Sequence, residues 1–376
     1  MKIVARLMGL AAVLGSSFPA PVVGQIACGA DFSQADRMVR LLEQVEAGGV
    51  SDALVDSFMS EHGTELIIEQ QNISRTVTAH QYRQVLESLS EREPPALQPA
   101  DDGVRARRGL EGLLEDVRPS MLWGMRHRDL LARRVEELRG RDLRSSAIGT
   151  ARTYLPEEVP LAPCLFVVMG GRAGAAALED GEIYFDVLAT SFRETTGALG
   201  PYPSTDEVSD YYAHEVHHLG LSAIIDRARD SLQLSDAEER VFEFLRAIVL
   251  EGSASYFITG HGSLAMLEGD PQFAMLSKGD SLLETAQQIL ITLSGEQLEE
   301  AAYDSVMAPM LGTGWHSAGA LILHAIDRAG GFPAVAPVLV DPRKLLVAYN
   351  AAQVDLGHGG WTFDAALAER VQNLGH

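Results

Sequence analysis

Residues 214–218 read HEVHH, and this segment constrains the fold more than any other part of the chain. It lies in "EVSDYYAHEVHHLGLSAII", just after "STDE" at 204–207, which has the Ser-x-x-Glu form of a helix-capping box. On a helix that begins there, His214 and His218 lie one turn apart and project from the same face. Both imidazoles can then bind one metal ion, and zinc accepts imidazole nitrogen in a tetrahedral shell.

Glu215 follows the first histidine of the motif and points beside the coordination position that such a site leaves open. From there its carboxylate can take a proton from an attacking water and pass it to a leaving amine. His217 falls on another face of the helix, where we expect packing or a supporting hydrogen bond. The motif therefore predicts two metal ligands and one general base.

A zinc site of this type needs a third protein ligand. Leu221 and Ile224 stand where a closely following glycine and third histidine would be, so a carboxylate on a second helix is the remaining route. Glu251, in "AIVLEGSASYF", ends an apolar run, and a carboxylate there is costly unless it is paired or bound to metal. Gly252 would let the two helices approach closely. Glu251 is therefore the favoured ligand, and the candidates ranked below it are Glu243, Asp226 and Asp230.

HEVHH, followed some thirty residues later by "LEGSASYF", resembles the gluzincin group of zinc metallopeptidases. Within that group the chain is most similar to bacterial zinc-dependent peptidases that pair a HExxH helix with an "EG-x-A" helix, and the similarity extends over about 164–330. The resemblance implies that His214, His218 and Glu251 hold Zn²⁺, with Glu215 as general base and acid. It also implies that the 182–187 region, in "GEIYFDV", pairs with an extended peptide or protein substrate.

Related sequences often carry a tyrosine or histidine after the glutamate helix that stabilises the oxyanion. Here the corresponding stretch is "MLGTGWHSAGALILHAI", and no tyrosine occupies the expected place. His316 is the predicted substitute and completes the predicted catalytic pair with Glu215. Tyr256, within the glutamate helix itself, is the second candidate.

The fold class predicted from these patterns is α+β and predominantly helical. Helical periodicity fills 25–160, an N-terminal helical region, apart from a proline-rich loop at 92–103. "CLFVVMGG" and "GEIYFDV" read as two strands of a small sheet. Residues 161–376 are predicted to form a zincin-like catalytic region, in which the HExxH helix and the Glu251 helix are followed by helices at about 281–294, 316–329 and 361–373.

Residues 1–24 read as a signal peptide, with Lys2 and Arg6 before an apolar run too short to span a membrane. The prediction is a periplasmic or secreted protein without a transmembrane anchor after signal removal. Lipidation at Cys28 is an alternative, although Gln25 suits a lipoprotein signal poorly. Cys28 and Cys164 are the only cysteines, and we expect them to form a disulfide in an oxidising compartment.

The sequence as a whole predicts an exported zinc metallohydrolase that cleaves peptide bonds. The formal net charge of −22 disfavours binding to nucleic acid or to anionic lipid. Two other functions stay open at this point. One is a non-catalytic zinc-binding or envelope scaffold protein, which the missing tyrosine favours, and the other is a zinc hydrolase of a non-peptide amide.

Overall fold

The computed structural model describes the chain in ranges: 29–49, 51–74, 77–90, 103–156, 159–171, 174–178, 181–195, 202–295, 298, 300–310, 313–357 and 360–375. These residues form two compact units. The first is built from the described residues of 22–147 and 162–215, and the second from those of 148–161 and 216–376. The predicted signal peptide at 1–24 and Cys28 lie outside the described residues, as does the predicted loop at 92–103 except for its last residue.

Helices make up most of both units, with one small sheet in the first. In chain order the helices are α1 (Ser33–Glu46), α2 (Asp52–Met59), α3 (His62–Ser74), α4 (Ala79–Glu87), α5 (Gly103–Arg126), α6 (Arg128–Arg139), α7 (Leu143–Thr153), α8 (Val187–Thr195), α9 (Thr205–Arg229), α10 (Asp236–Ser253), α11 (Asp280–Leu293), α12 (Glu300–Met307), α13 (Gly314–Gly330), α14 (Phe332–Val340), α15 (Leu345–Leu356) and α16 (Ala365–Gln372). The strands are β1 (Ala30–Asp31), β2 (Cys164–Val168), β3 (Ala175–Ala177) and β4 (Glu182–Asp186). The prediction of a predominantly helical α+β fold is confirmed. Among the helices that the structure describes, none has the length and apolar character needed to cross a bilayer.

The sheet has the strand order β1-β2-β4-β3. β2 pairs in parallel with both β1 and β4, whereas β3 pairs antiparallel with β4. Asp186, buried at the end of β4, accepts hydrogen bonds from the N–H groups of Gly170 and Gly171 through Oδ2, and from the N–H of Ala189 through Oδ1. One carboxylate therefore fixes both the loop after β2 and the start of α8.

β4 lies between two other strands of the sheet. The resemblance implies that residues 182–187 pair with a substrate, but β2 and β3 already occupy both sides of β4. A strand with partners on both sides has no unpaired backbone groups to offer a peptide. Over the described residues, the strand that ends the sheet next to β4 is β3.

Helix α13 is the central element of the second unit. It packs against α10, α14 and α15, and Ala318, Ile322 and Leu323 along it are fully buried. α10 begins at a capping box in which Ser235 and Glu238 exchange side-chain and backbone hydrogen bonds, and the chain continues from its end into a π-helix at Ala254–Thr259. The Glu251 helix therefore ends in a turn of the wider π form.

Candidate metal centre

The HEVHH segment lies in the middle of α9, and the predicted capping box begins this helix. The Ser204 N–H donates to Glu207 Oε2 at 2.6 Å, and the Glu207 N–H donates to Ser204 Oγ at 3.3 Å. His214 and His218 are both buried and lie one helical turn apart on this single continuous helix. The local sequence therefore produces the paired imidazoles that the motif predicts.

Glu251 lies near the C-terminal end of α10, within a run that is buried from Phe244 to Ser253. Its residue is only 3% exposed, and its Oε2 lies 3.4 Å from His218 Nε2. A carboxylate in this environment loses most of its hydration, so it requires a cationic partner, a hydrogen-bond donor or a metal ion. The structure brings that carboxylate to the second histidine of the motif, as the sequence predicts.

His316, in the first turn of α13, lies on another side of the same carboxylate. Its Nδ1 is 3.2 Å from Glu251 Oε2 and 3.0 Å from Ser255 Oγ in the π-helix. The approach of α13 to α10 depends on two glycines, because a Cβ on Gly319 would come within 2.5 Å of the Gly252 Cα. Because both helices have a glycine at the crossing point, their backbones approach closely enough for Glu251 and His316 to come into contact.

The donor atoms in this cluster suit a zinc ion. Among the described residues, His214, Glu251 and His316 offer ligand atoms that all lie within 4.8 Å of one another, and all three are buried. Ligands at about 2.0–2.1 Å from a tetrahedral zinc lie roughly 3.3–3.4 Å apart. The distances from Glu251 Oε2 to His218 Nε2 and to His316 Nδ1 are close to that value. Imidazole nitrogen and carboxylate oxygen are also ordinary zinc ligands.

Glu215 occupies a different environment from the buried ligands. Its Oε2 accepts a hydrogen bond of 3.0 Å from the Ala177 N–H of β3. Leu178 donates to Glu182 O, and Asp186 donates to Gly174 O, so hydrogen-bonded pairs alternate along the β3–β4 ladder. Ala176 therefore faces β4, while Ala175 and Ala177 direct their backbone groups to the other side. Glu215 thus lies on the side of β3 where no strand of the described residues pairs with it.

His217 joins α9 to α10 outside the cluster. Its Nε2 lies 3.0 Å from Ser253 Oγ, and that hydroxyl also donates to Leu250 O at 3.1 Å. The residue is fully buried. Its contacts are those of a residue that fixes the packing of two helices, in keeping with its position on another face of α9.

Two of the lower-ranked carboxylate candidates, Asp226 and Glu243, lie in a separate ion-pair cluster around Arg246, which is only 2% exposed. Asp226 Oδ1 is 3.1 Å from Arg246 Nη2, and Glu243 Oε2 is 3.6 Å from Arg246 Nη1. Burial raises the pKa of both carboxyls, and the positive charge of Arg246 opposes that rise. Asp230 lies 3.8 Å from Arg229. These three carboxylates already have cationic partners.

Tyr256, the second oxyanion candidate, directs its hydroxyl toward α13. The hydroxyl donates to Asp327 Oδ2 at 2.9 Å, and His324 Nδ1 lies 3.2 Å away. Burial, together with the Asp327 carboxylate, raises the pKa of Tyr256 well above its usual value. Of the two candidates, His316 is therefore the one that contacts Glu251.

The family model described as "Putative zinc dependent peptidase" matches residues 56–354, which include the whole cluster. The match covers well over half of the chain, so the chain belongs to this family. The resemblance to zinc-dependent peptidases read from the motifs is confirmed. Zinc is thus the cofactor that the family and the buried donor group both indicate. No curated protein and no solved structure gives a significant match.

The sequence did not predict that His316 would lie among the possible ligands. It was expected to act on the substrate, yet its side chain shares an oxygen of Glu251 with His218. A signal was present in the spacing of small residues. Glu251 is followed directly by Gly252, and His316 is followed by "SAG", which ends at Gly319. A glycine within one turn of a polar residue on each of two apolar helices indicates a close crossing near those residues.

Proposed function

We propose that this protein is an exported metallopeptidase of the gluzincin type, with Glu215 as general base and acid. The observation that carries this proposal is the pairing of two features on α9. His214 belongs to the buried donor group, and the next residue, Glu215, lies on the side of β3 where no strand of the described residues pairs with it. A metal-ion ligand and a carboxylate base side by side at a peptide-binding edge are what amide hydrolysis requires.

His214, His218 and Glu251 would hold the zinc, which leaves one coordination position for chemistry. Bound there, zinc would polarise a substrate carbonyl and lower the pKa of water. His316 would donate a hydrogen bond to the oxyanion, as the sequence predicts. Its contact with Glu251 makes it the alternative third nitrogen ligand, and the two roles predict different metal affinities for a His316 variant.

Glu215 would move the proton. Its Oε2 is held by the Ala177 N–H, so the carboxylate keeps one orientation while its other oxygen can receive a proton from water. The same oxygen would then deliver that proton to the leaving amine nitrogen. Because the carboxylate is already oriented, the reaction has a lower entropic cost of bringing the base into the reactive geometry.

The substrate would bind as a strand along β3, in place of the 182–187 region. The backbone C=O groups of Ala175 and Ala177 and the N–H of Ala175 face away from β4 and can pair with an extended peptide. The alanine side chains of β3 add little bulk beside that edge. A peptide bound there would pass next to Glu215.

The central test is Glu215→Gln in the full-length protein, assayed with a quenched-fluorescence peptide library and by zinc content. We expect one zinc per chain and loss of hydrolysis by at least about 100-fold, since general-base catalysis contributes about 10²–10⁴-fold. Asp206→Asn, an exposed acid on the same helix, is the matched control and should keep its activity. Retained activity in Glu215→Gln would overturn the proposed base. Zinc without cleavage of any peptide by the wild type would favour the scaffold protein or the non-peptide amidase.

A second set of variants separates the ligands. Glu251→Ala should weaken zinc binding at least about tenfold, whereas Glu243→Ala, two turns earlier on α10, should not. His218→Ala should lose zinc in the same way, and His316→Ala should keep zinc but cleave slowly. If His316→Ala loses zinc and His218→Ala keeps it, His316 is a ligand and the oxyanion role passes to another residue.

A further inference from the structure

A pocket of about 320 Å³ lies in the second unit among α11, α13 and α15. Its apolar lining comes from Leu283, Leu321 and Leu356. This size is at the lower end of the range of small-molecule sites, about 300–1,000 Å³. None of its lining residues belongs to the candidate metal centre.

Two opposite charges line this pocket from different helices. Asp280 is the first residue of α11, and Arg328 lies in the last turn of α13. Neither forms an ion pair within the described part of the chain, and they do not pair with each other. Two unpaired and opposite charges on one concave surface leave room for a ligand that carries both complementary charges.

The neighbouring titratable groups show that the two charges act at different places in the pocket. Burial and the positive charge of Arg328 lower the pKa of His324. Burial raises the pKa of Tyr349 to about 12. A hydrogen bond from Gln353 lowers this pKa, and the negative charge of Asp280 raises it further. The charge of Arg328 therefore acts at His324, and the charge of Asp280 acts at Tyr349.

We propose that this pocket binds a small zwitterion of the α-amino-acid type. The ligand carboxylate would pair with Arg328, its ammonium group with Asp280, and its side chain would cover the leucines of the lining. A ligand with one charge would leave the other protein charge unpaired. The proposal does not depend on the peptidase function, although free amino acids are end products of peptide hydrolysis.

Isothermal titration of the full-length protein with L-leucine tests this binding directly. Two analogues keep the branched side chain and remove one charge each: 4-methylpentanoate lacks the ammonium group, and isoamylamine lacks the carboxylate. Neither has an amide bond, so peptidase activity cannot consume them. We expect saturable binding of leucine and at least about tenfold weaker binding of each analogue, because each loses a charge-assisted hydrogen bond.

Variants locate the site within the molecule. Arg328→Gln and Asp280→Asn should each weaken leucine binding at least about tenfold. Lys278→Gln and Asp355→Asn change the same charges at exposed positions outside the pocket and should bind leucine like the wild type. No saturable binding up to about 10 mM leucine, equal binding of either analogue, or unchanged binding in the Arg328 and Asp280 variants would overturn the proposal. None of these outcomes bears on Glu215, so this proposal and the peptidase function fail separately.

Discussion

The contact between Gly252 and Gly319 allows a sharp test of how the metal centre is assembled. A Cβ added to Gly319 would lie 2.2 Å from Ile248 O and 2.5 Å from Gly252 Cα, whereas ordinary contact begins at 3.4 Å. The obstructing atoms belong to the backbone of α10 and cannot rotate away. In Gly319→Ala the two helices must therefore separate by about 1 Å.

Such a separation acts on both stability and metal binding. Overpacking of a core costs typically 1–3 kcal/mol and sometimes more, and we expect about 2–4 kcal/mol here because backbone meets backbone. His316, three residues before Gly319, would move away from Glu251 by a similar distance. Metal–ligand distances tolerate only about ±0.2 Å, so zinc affinity should fall at least about tenfold.

Urea denaturation and competition with a zinc chelator measure the two effects of Gly319→Ala. Gly149→Ala is the matched control, because Gly149 lies inside α7 and an added Cβ there has no atom within 4 Å. The same substitution at Gly149 should stabilise the protein by about 0.5–1 kcal/mol, since alanine favours a helix. If Gly319→Ala binds zinc and resists urea like the wild type, the glycine contact does not set the distance between Glu251 and His316.

Two further predictions concern the first unit. Burial lowers the pKa of His62, but hydrogen bonds to Glu65 and Glu182 outweigh burial, and the pKa is raised overall. The protonated side chain therefore stabilises the fold below the usual pKa, and this stabilisation is lost as the pH rises through the pKa of the folded state. His62→Gln should lower the unfolding free energy at about pH 5.5 by less than about 1 kcal/mol, because the side chain is half-exposed. At about pH 9 the same substitution should leave the unfolding free energy unchanged. The control variant His80→Gln, at an exposed position, should leave it unchanged at both pH values. The Cys28–Cys164 bridge stays a prediction because Cys28 lies outside the described residues, and the parallel register of Ala30 with Leu165 supports it. Peptide mapping without reduction should find the two cysteines cross-linked, and free thiols at both positions would contradict the pairing.

Helix starts could be predicted from local sequence because their determinants are local. The capping boxes at Ser204 and Ser235 need only residues within one turn, and both are observed. Helix α14 was not predicted, because its local sequence argues against a helix. Pro333 in its first turn is compatible with a helix, but Pro337 inside it normally signals a break. Val335, Val338 and Leu339 of this helix are buried in the second unit, and packing outweighs the local signal there.

The sheet was harder to predict because pairing, not local preference, decides its edge. β3 consists of three alanines, and alanine is depleted in strands. The segment is a strand because it pairs with β4, which has the residues typical of a strand. The sequence therefore predicts the better strand former, β4, as the strand that pairs with a substrate, whereas the structure pairs β4 on both sides. The roles of His214, Glu215, His218, Glu251 and His316 stay predictions.

The π-helix after α10 links the metal centre to the pocket among α11, α13 and α15 through two adjacent residues. Ser255 Oγ lies 3.0 Å from His316 Nδ1, and the Tyr256 hydroxyl lies 3.2 Å from His324 Nδ1. Both histidines belong to α13, eight residues and about 12 Å apart along its axis. Single π turns within helices occur frequently at functional sites, because their wider turn redirects neighbouring side chains. Since His324 lines the pocket and His316 contacts Glu251, a movement of this one segment would change both contacts together.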